Sequence, residues 1–160
     1  MKNKYAVILG GTKLQEPLID SISKYGVIPI VLDKNPSCYL AKKQIKFIEC
    51  DISSPKDCFN LIKDFKIIGC FTAQSDIGVP SQGYINSELN LSGVDYETAK
   101  VASNKYLFRR LMEENDIPQP KFFKCKDFED VLKVIPKLKI PFVVKAVDSS
   151  GSRGVTVVKR

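Results

Sequence analysis

Along the first hundred residues, short runs rich in apolar residues alternate with segments of helical periodicity. The runs have the length of strands rather than of helices. They lie at 5–9, 27–32, 46–49 and 67–72. Between the first two runs, Leu14, Leu18 and Ile22 recur at helical spacing. Strands that alternate with helices predict an α/β fold with a doubly wound parallel sheet, whose strands should line a ligand crevice at their carboxyl ends.

Residues 101–160 show a different order of elements. Ser103 or Asn104 can cap a helix, and Pro118 forces an extended backbone after it. The elements predicted next are a strand at 121–124, a helix at 127–134, a strand that ends at Lys145 and a strand that begins at Val155. The apolar residues of the second helix are spaced to face inward, namely Phe128, Val131, Leu132 and Ile135. This order predicts a second, smaller α+β unit.

Positive charge is concentrated in this second region. The chain has a net charge of +7. Residues 1–100 hold 12 Lys and 11 acidic residues, whereas residues 101–160 hold 13 Lys or Arg and 7 acidic residues. A nucleoside triphosphate or a nucleic acid would account for the excess, as would a basic face exposed to solvent. We expect no nucleic-acid partner, because the sequence has neither a block of basic residues nor an RNA-binding sheet signature.

Several function classes are excluded by what the sequence lacks. It has no histidine, which excludes His-based triads, and no G-x-x-x-x-G-K-[ST] loop, which excludes kinases and GTPases of that type. Its five cysteines form an odd set without a CxxC pair, so neither disulfides nor a zinc site is indicated. No apolar run approaches the roughly 18 residues of a membrane helix, and no cleavage pattern opens the sequence. We therefore expect a cytoplasmic protein without a membrane partner.

The turn after the first strand is a candidate binding site. Gly10 and Gly11 stand where a dinucleotide-binding G-x-G-x-x-G loop would begin, but the later glycines are missing, which argues against NAD. The turn can present backbone N–H groups to a carboxylate or phosphate, or its glycines can serve the geometry of the turn alone. After the fourth strand, Asp76 can bind an amine or cap the next helix.

The segment 141–154 has the features of a phosphate-binding hairpin. Its apolar strand ends in Lys145, whose ammonium group is a point charge suited to phosphate. Gly151 and Gly154 lie in the following loop and let backbone N–H groups approach an anion. The loop is longer than the usual two to five residues of a hairpin turn, which argues against a plain turn.

These segments, in this order, resemble the amino-terminal half of an ATP-grasp enzyme. The segments that carry the resemblance are 103–111 (SNKYLFRRL), 117–120 (IPQP), 141–145 (PFVVK) and 149–154 (SSGSRG). Three more are similar to the domain that precedes the grasp domain in carbamoyl-phosphate synthase and in purine-pathway carboxylate ligases: 8–11 (ILGG), 31–36 (VLDKNP) and 76–80 (DIGVP). The resemblance implies a Rossmann-like pre-ATP-grasp domain at 1–100. It implies a helical linker and the first, incomplete α+β lobe of the ATP-grasp domain at 101–160.

The resemblance also implies an ATP site in the second region. Lys105 matches a helix residue that reaches nucleotide phosphates, although an exposed helix lysine is the ordinary alternative, and Lys145 matches a strand lysine that contacts the phosphate chain. The flexible loop over the phosphates would consist of Ser149, Ser150, Gly151, Ser152, Arg153 and Gly154. Gly10, Gly11 and Asp76 match positions near the non-nucleotide substrate.

The implied reaction is that of an ADP-forming ligase that uses ATP and Mg²⁺. A carboxylate attacks the γ-phosphate of ATP to form an acylphosphate, which an amine then opens. In the family the Mg²⁺ ligands lie in the second half of the grasp domain, which this sequence does not contain. We therefore assign this chain ATP-phosphate binding but no catalytic residue and no metal ligand, and expect no turnover by it alone. The edge of its last strand predicts a homo-oligomer or a disordered tail.

Two other functions remain open at the level of the sequence. The chain can be a non-catalytic α/β module that binds or senses a small metabolite. It can also be a nucleotide-sugar or NAD-type Rossmann protein, which the missing glycines disfavour. The carboxylate and the amine that a ligase would join are not identified by these motifs.

Overall fold

The chain folds as two compact units, Met1–Ser103 and Asn104–Arg160. The computed structural model describes residues 3–73, 75–149, 151 and 154–159. The second unit opens with Asn104, which is the N-cap of a helix. The roles predicted for residues 1–100 and 101–160 stay predictions.

The first unit is built on a four-stranded parallel sheet. Its strands are β1 Tyr5–Leu9, β2 Ile28–Asp33, β3 Lys46–Glu49 and β4 Ile67–Phe71. Its helices are α1 Glu16–Lys24, α2 Pro55–Ile62, α3 Val79–Glu88 and α4 Tyr96–Ser103. The strand order is β3-β2-β1-β4, and neighbouring strands run parallel.

Both faces of this sheet are buried. Along β1, Val7 packs on one face and Ile8 on the other, and both are fully buried. The first face is covered by α2 and α3 through Ile62 and Ile85, and the second by α1 through Ile19. Burial on both sides explains why the sequence of β1 is continuously apolar rather than alternating. The predicted α/β fold with a doubly wound parallel sheet is confirmed.

The strand order opens a crevice at one edge of the sheet. β1 lies between β2 and β4. The chain therefore adds β2 and β3 on one side of β1 and later adds β4 on the other side. The helices that follow β1 and β4 pack on opposite faces of the sheet. The carboxyl ends of these two strands are therefore not covered by a shared connection, which is the arrangement that admits ligands in such folds.

The second unit contains two helices and a hairpin. These elements are α5 Lys105–Glu114, α6 Phe128–Val134, β5 Phe142–Lys145 and β6 Val155–Val158. Of the two predicted caps of α5, Asn104 is the one used, because its side-chain oxygen accepts hydrogen bonds from the N–H groups of Tyr106 and Leu107. β5 and β6 pair antiparallel in a two-stranded sheet. Self-association through an edge of this sheet stays a prediction.

The strand predicted at 121–124 is not formed. These residues have no strand assignment, because no neighbouring strand pairs with them among the described residues. Phe122 packs instead edge-to-face against Tyr106 of α5, with ring centroids 6.1 Å apart. The segment therefore packs through a side chain rather than through a backbone ladder.

The predicted inward packing of α6 is also wrong. Phe128 is 72% exposed, Leu132 53% and Ile135 40%, and only Val131 of the predicted set is half-buried. None of the described residues of the second unit is buried. Helical periodicity identified an apolar face correctly, but the described residues of this unit form no enclosed core for that face to enter.

We predict that Gly83 of α3 is required for the close approach of α4. A methyl group at this position would lie 2.5 Å from Cβ of Ala99 and 2.7 Å from the backbone oxygen of Asp95. Ala is intrinsically better than Gly in a helix by about 1 kcal/mol, but a clash with backbone cannot be relieved by turning a side chain. We expect Gly83→Ala to lower the free energy of unfolding by about 1–3 kcal/mol, measured by urea denaturation.

Gly69→Ala is the matched control for this variant. Gly69 is also buried, but its added methyl group would meet only the ring of Phe71, 2.7 Å away. That side chain is 38% exposed and can turn aside. We expect a change below about 1 kcal/mol, and equal losses in the two variants would contradict the helix contact as the cause.

Candidate functional site

A pocket of about 220 Å³ opens at the carboxyl ends of the strands in the first unit. Gly10 follows β1 and Asp33 ends β2. Asp51 and Ser75 lie in the loops after β3 and β4. The lining consists of Gly10, Thr12, Leu14, Gln15, Asp33, Lys34, Asp51, Ile52, Ser75 and Ile77. The pocket thus occupies the crevice in which doubly wound folds bind ligands.

A buried amide, that of Gln15, fixes one wall of this pocket. Gln15 is 1% exposed, and its Nε2 donates hydrogen bonds to the backbone oxygens of Leu9 at 3.2 Å and Ala73 at 2.7 Å. Its Oε1 accepts a hydrogen bond from the N–H of Ala73 at 3.1 Å. These bonds tie the loop after β4 to the end of β1. No pattern in the sequence indicates this role of Gln15, because a polar residue at a helix start is ordinarily exposed.

The predicted substrate residues Gly10 and Gly11 form the turn after β1. The N–H of Gly10 donates to the backbone oxygen of Leu32 at 2.8 Å, and the N–H of Gly11 donates to Oδ2 of Asp33 at 2.7 Å. Oδ1 of Asp33 accepts a hydrogen bond from the N–H of Asn35 at 2.8 Å. The turn therefore holds a carboxylate of its own chain. Substrate binding by Gly10 and Gly11 stays a prediction.

Asp76, the third predicted substrate residue, begins a 3₁₀ turn that runs over Asp76–Gly78. Its neighbours Ser75 and Ile77 line the pocket, but Asp76 itself does not. Of the three predicted residues, the structure therefore brings only Gly10 into the pocket wall. The role of Asp76 stays a prediction.

Asp51 lines the pocket and was not singled out from the sequence. Its Oδ1 accepts hydrogen bonds from the N–H of Ser53 at 2.9 Å and from the Ser53 hydroxyl at 2.7 Å. These bonds, with a smaller contribution from the charge of Lys34, hold the pKa of Asp51 below its ordinary value. An aspartate two residues before a serine after a strand is a turn signal, which could have marked the position but not the pocket.

The predicted phosphate loop closes the hairpin of the second unit. Lys145 is the last residue of β5 and lies opposite Val155, the first residue of β6. The N–H of Ala146 donates to the backbone oxygen of Gly154 at 3.1 Å, which closes the base of the loop. Gly154 has a φ of +66°, a conformation that favours glycine. Three of the predicted loop residues lie outside the described residues, namely Ser150, Ser152 and Arg153.

Lys105 reaches the same loop from the start of α5. Its N–H, which has no partner within its own helix, donates to the backbone oxygen of Val147 at 2.9 Å. Its Nζ donates a hydrogen bond to the backbone oxygen of Ser149. The structure therefore brings Lys105 to the loop whose base is formed by Lys145 and Gly154. The contact of these residues with ATP stays a prediction.

One face of the hairpin presents an apolar strip beside Lys145. In an antiparallel pair, residues directly opposite each other share a face, as do alternate residues along each strand. Lys145 therefore shares a face with Val155, Val143 and Val157. The three valines are between 43% and 54% exposed. An exposed apolar strip that ends in a cation is suited to a ligand with an apolar and an anionic part.

Two features are absent from the part of the chain that the structure describes. No three Cys, Asp or Glu side chains come together there as a possible metal site. No helix in that part has the length and apolar character needed to cross a membrane.

Two curated ligases are similar to this chain in sequence. The chain is 26% identical over 158 residues to the phosphoribosylamine–glycine ligase of Pyrococcus abyssi, with 95% of this chain and 35% of the ligase covered. It is 20% identical over 131 residues to the carbamoyl phosphate synthase large chain of Pyrococcus furiosus, with 79% and 12% covered. The chain spans about a third or less of the length of these relatives. No protein-family model matches it.

Solved structures share the fold over nearly the whole chain. Phosphoribosylglycinamide synthetase from Anaerococcus prevotii matches with a TM-score of 0.73 and 24% identity, over 99% of this chain and 39% of its own. N5-carboxyaminoimidazole synthetase from Staphylococcus aureus, complexed with ADP, matches with a TM-score of 0.73 and 18% identity, over 100% and 43%. The predicted resemblance to the amino-terminal portion of ATP-grasp ligases is confirmed: the chain is similar to such ligases in sequence and shares their fold.

Proposed function

We propose that this chain is the amino-terminal part of an ATP-dependent, ADP-forming ligase that joins a carboxylate to an amine, and that its second unit binds the phosphates of ATP. One sequence relative is named as a phosphoribosylamine–glycine ligase, and one structure with the same fold is complexed with ADP. These names support the reaction class and the nucleotide. They leave open which carboxylate and which amine are joined.

The contact between α5 and the hairpin loop is the observation that carries this proposal. The hydrogen bond from Nζ of Lys105 to Ser149 holds an ammonium group against the loop that is predicted to cover the phosphates. An ammonium group has three donors, so this bond leaves two for phosphate oxygens. Lys145 adds a second positive charge at the base of the loop. Two ammonium groups beside one glycine-containing loop suit a polyanion.

The apolar strip beside Lys145 supports a nucleotide rather than a bare phosphate. Val143, Val155 and Val157 are all exposed on the face that Lys145 shares. The flat face of a nucleotide base would remove part of that surface from water, which is favourable by about 25 cal/mol per Å² of apolar surface. The phosphates of the nucleotide would extend toward the ammonium group of Lys145. The strip and the charge thus match the two ends of ATP.

The proposed reaction proceeds in two balanced steps. A carboxylate oxygen of one substrate attacks the γ-phosphorus of ATP, the bond to the bridging oxygen of ADP breaks, and an acylphosphate forms. The nitrogen of the amine then attacks the acyl carbon, phosphate leaves, and the amine gives up a proton. The contribution of this chain is to hold the phosphates and to exclude water by closing the loop, which strengthens each charge contact.

A non-catalytic metabolite-binding module is the second candidate, and one observation favours it. The pocket of the first unit is formed by residues of that unit alone and needs no nucleotide to complete it. A sensor of this kind would use the α/β unit and would have no need of an ATP site. Binding of ATP therefore separates the two candidates.

The first test is calorimetric titration of the 160-residue chain with ATP, with and without Mg²⁺. A hydrogen bond to a charged group contributes about 1.5–3 kcal/mol, and about 1.4 kcal/mol corresponds to a tenfold change in affinity. We therefore expect Lys145→Ala to weaken ATP binding by about tenfold or more.

Lys139→Ala is the control, since it removes the same charge from an exposed position near the opposite end of β5. Solvent and salt screen a distant surface charge, so we expect this variant to bind ATP within about twofold of the parent. A parent chain that does not bind ATP, or equal losses in the two variants, would show that the hairpin is not the nucleotide site.

A second test concerns turnover. Because the chain spans only 35% of the phosphoribosylamine–glycine ligase that it resembles, we expect it alone to release no ADP from ATP and Mg²⁺ in the presence of mixed carboxylates and amines. A coupled assay for ADP measures this. An ADP release rate that disappears in Lys145→Ala would overturn the expectation, whereas a contaminating enzyme would give the same rate in both preparations.

A further inference from the structure

The pocket of the first unit has the chemistry of an amino-acid site. We infer that it binds a free α-amino acid with an apolar side chain, whose ammonium group is held by Asp51 and Asp33 and whose carboxylate is held by Lys34. This inference rests on the proposed function, because it names the class of the non-nucleotide substrate.

The two glycines of the turn after β1 do not offer their N–H groups to a phosphate. In doubly wound folds, the turn after the first strand commonly offers its N–H groups to a phosphate. Here the N–H groups of Gly10 and Gly11 are used by Leu32 and by the carboxylate of Asp33. A phosphate placed at these two N–H groups would therefore meet the charge of Asp33 instead of free donors.

The acidic side of the pocket suits an ammonium group. Asp51 and Asp33 both line it, so the pocket wall carries two carboxylates. The hydrogen bonds from Ser53 go to Oδ1 of Asp51, and its Oδ2 remains as an acceptor. An ionised carboxylate has about four acceptor positions in total, so both aspartates can accept further N–H donors. A bond from an ammonium group to a carboxylate is charge-assisted and is stronger than a neutral one.

The basic side of the pocket is formed by Lys34, which follows β2. Among the residues that the structure describes, Lys34 has no ion-pair partner. Lys34 and Asp51 line the same pocket, and the charge of Lys34 helps to lower the pKa of Asp51. A cation and an anion in one pocket match the carboxylate and the ammonium group that an α-amino acid carries on a single carbon.

The remaining wall is apolar and the space is small. Leu14 and Ile77 line the pocket and are 56% and 55% exposed, while Ile52 is buried beside them. An apolar ligand side chain would cover the two exposed residues and gain about 25 cal/mol per Å² of buried apolar surface. The volume of about 220 Å³ lies below the roughly 300–1,000 Å³ of pockets for drug-sized ligands. A small amino acid fits this space better than a nucleotide does.

The test is an amide NMR titration of the full chain with four separate probes, each taken to millimolar concentration. The probes are L-leucine, N-acetyl-L-leucine, 3-methylbutylamine and inorganic phosphate. The second lacks the ammonium group and the third lacks the carboxylate. We expect L-leucine to shift the amides of Gly10, Asp33 and Asp51. The second and third probes should bind at least about tenfold more weakly than L-leucine. Phosphate should leave these amides unchanged.

Two variants and a control assign the contacts. Asp51→Asn keeps an oxygen that can accept the Ser53 bonds but removes the charge, and Lys34→Met removes the cation. Each should weaken L-leucine binding by about tenfold. Asp20→Asn, the same change at an exposed position on α1, should leave the affinity unchanged. The amide spectrum of each variant shows directly whether it is folded.

The inference is overturned if L-leucine leaves the pocket amides unshifted, or if phosphate or N-acetyl-L-leucine binds as tightly as L-leucine. Adding ATP to the same samples separates this failure from failure of the proposed function. Shifts in the second unit with ATP but none with L-leucine would reject the amino-acid site and leave the ligase proposal standing. Shifts with L-leucine but none with ATP would reject the ATP site and leave the pocket assignment standing.

Discussion

The burial of β1 on both faces, together with its pairing to β2 and β4, is the constraint on which the first unit depends. Val7 and Ile8 enter opposite cores, so neither helical layer can be removed without exposing this strand. Parallel pairing then forces all four strands to end at one edge of the sheet. The loops that follow them meet there, and the amide of Gln15 fixes two of them together. The pocket is thus a consequence of how β1 is buried.

The second unit is held together in a different way. None of its described residues is buried, so the hydrophobic effect contributes less here than in the sheet of the first unit. Its order comes from the cap of α5, from the pairing of β5 with β6, and from the two hydrogen bonds of Lys105 to Val147 and Ser149. Elements with few buried contacts open at low cost in free energy.

The sequence predicted the elements best where the pattern depends only on residues that are close together along the chain. β3 has the predicted bounds of 46–49, and Asn104 caps α5 as a local hydrogen-bond rule requires. The errors lie at 121–124 and in α6, where the outcome depends on whether a partner strand or a core is present, which periodicity cannot report. The same reason explains why these pocket residues could not be recognised from the sequence. Asp33, Asp51 and Gln15 are ordinary turn residues in the sequence, and only the strand order β3-β2-β1-β4 brings their loops to one edge. The closeness of Lys105 and the hairpin loop, 44 residues apart, was expected from the resemblance to a family and from no local pattern.

The charges of the two proposed sites explain how one chain can keep two substrates apart. A ligase of the proposed kind must bind a polyanion and a smaller molecule without letting the phosphates of the first occupy the site of the second. The hairpin meets this requirement with Lys105 and Lys145. The pocket meets it with Asp33, because this carboxylate takes the N–H of Gly11 that a phosphate would otherwise use, and its charge repels phosphate in addition. Asp33 therefore acts in the fold as the partner of a turn, and under the proposed function it would make this pocket select against phosphate.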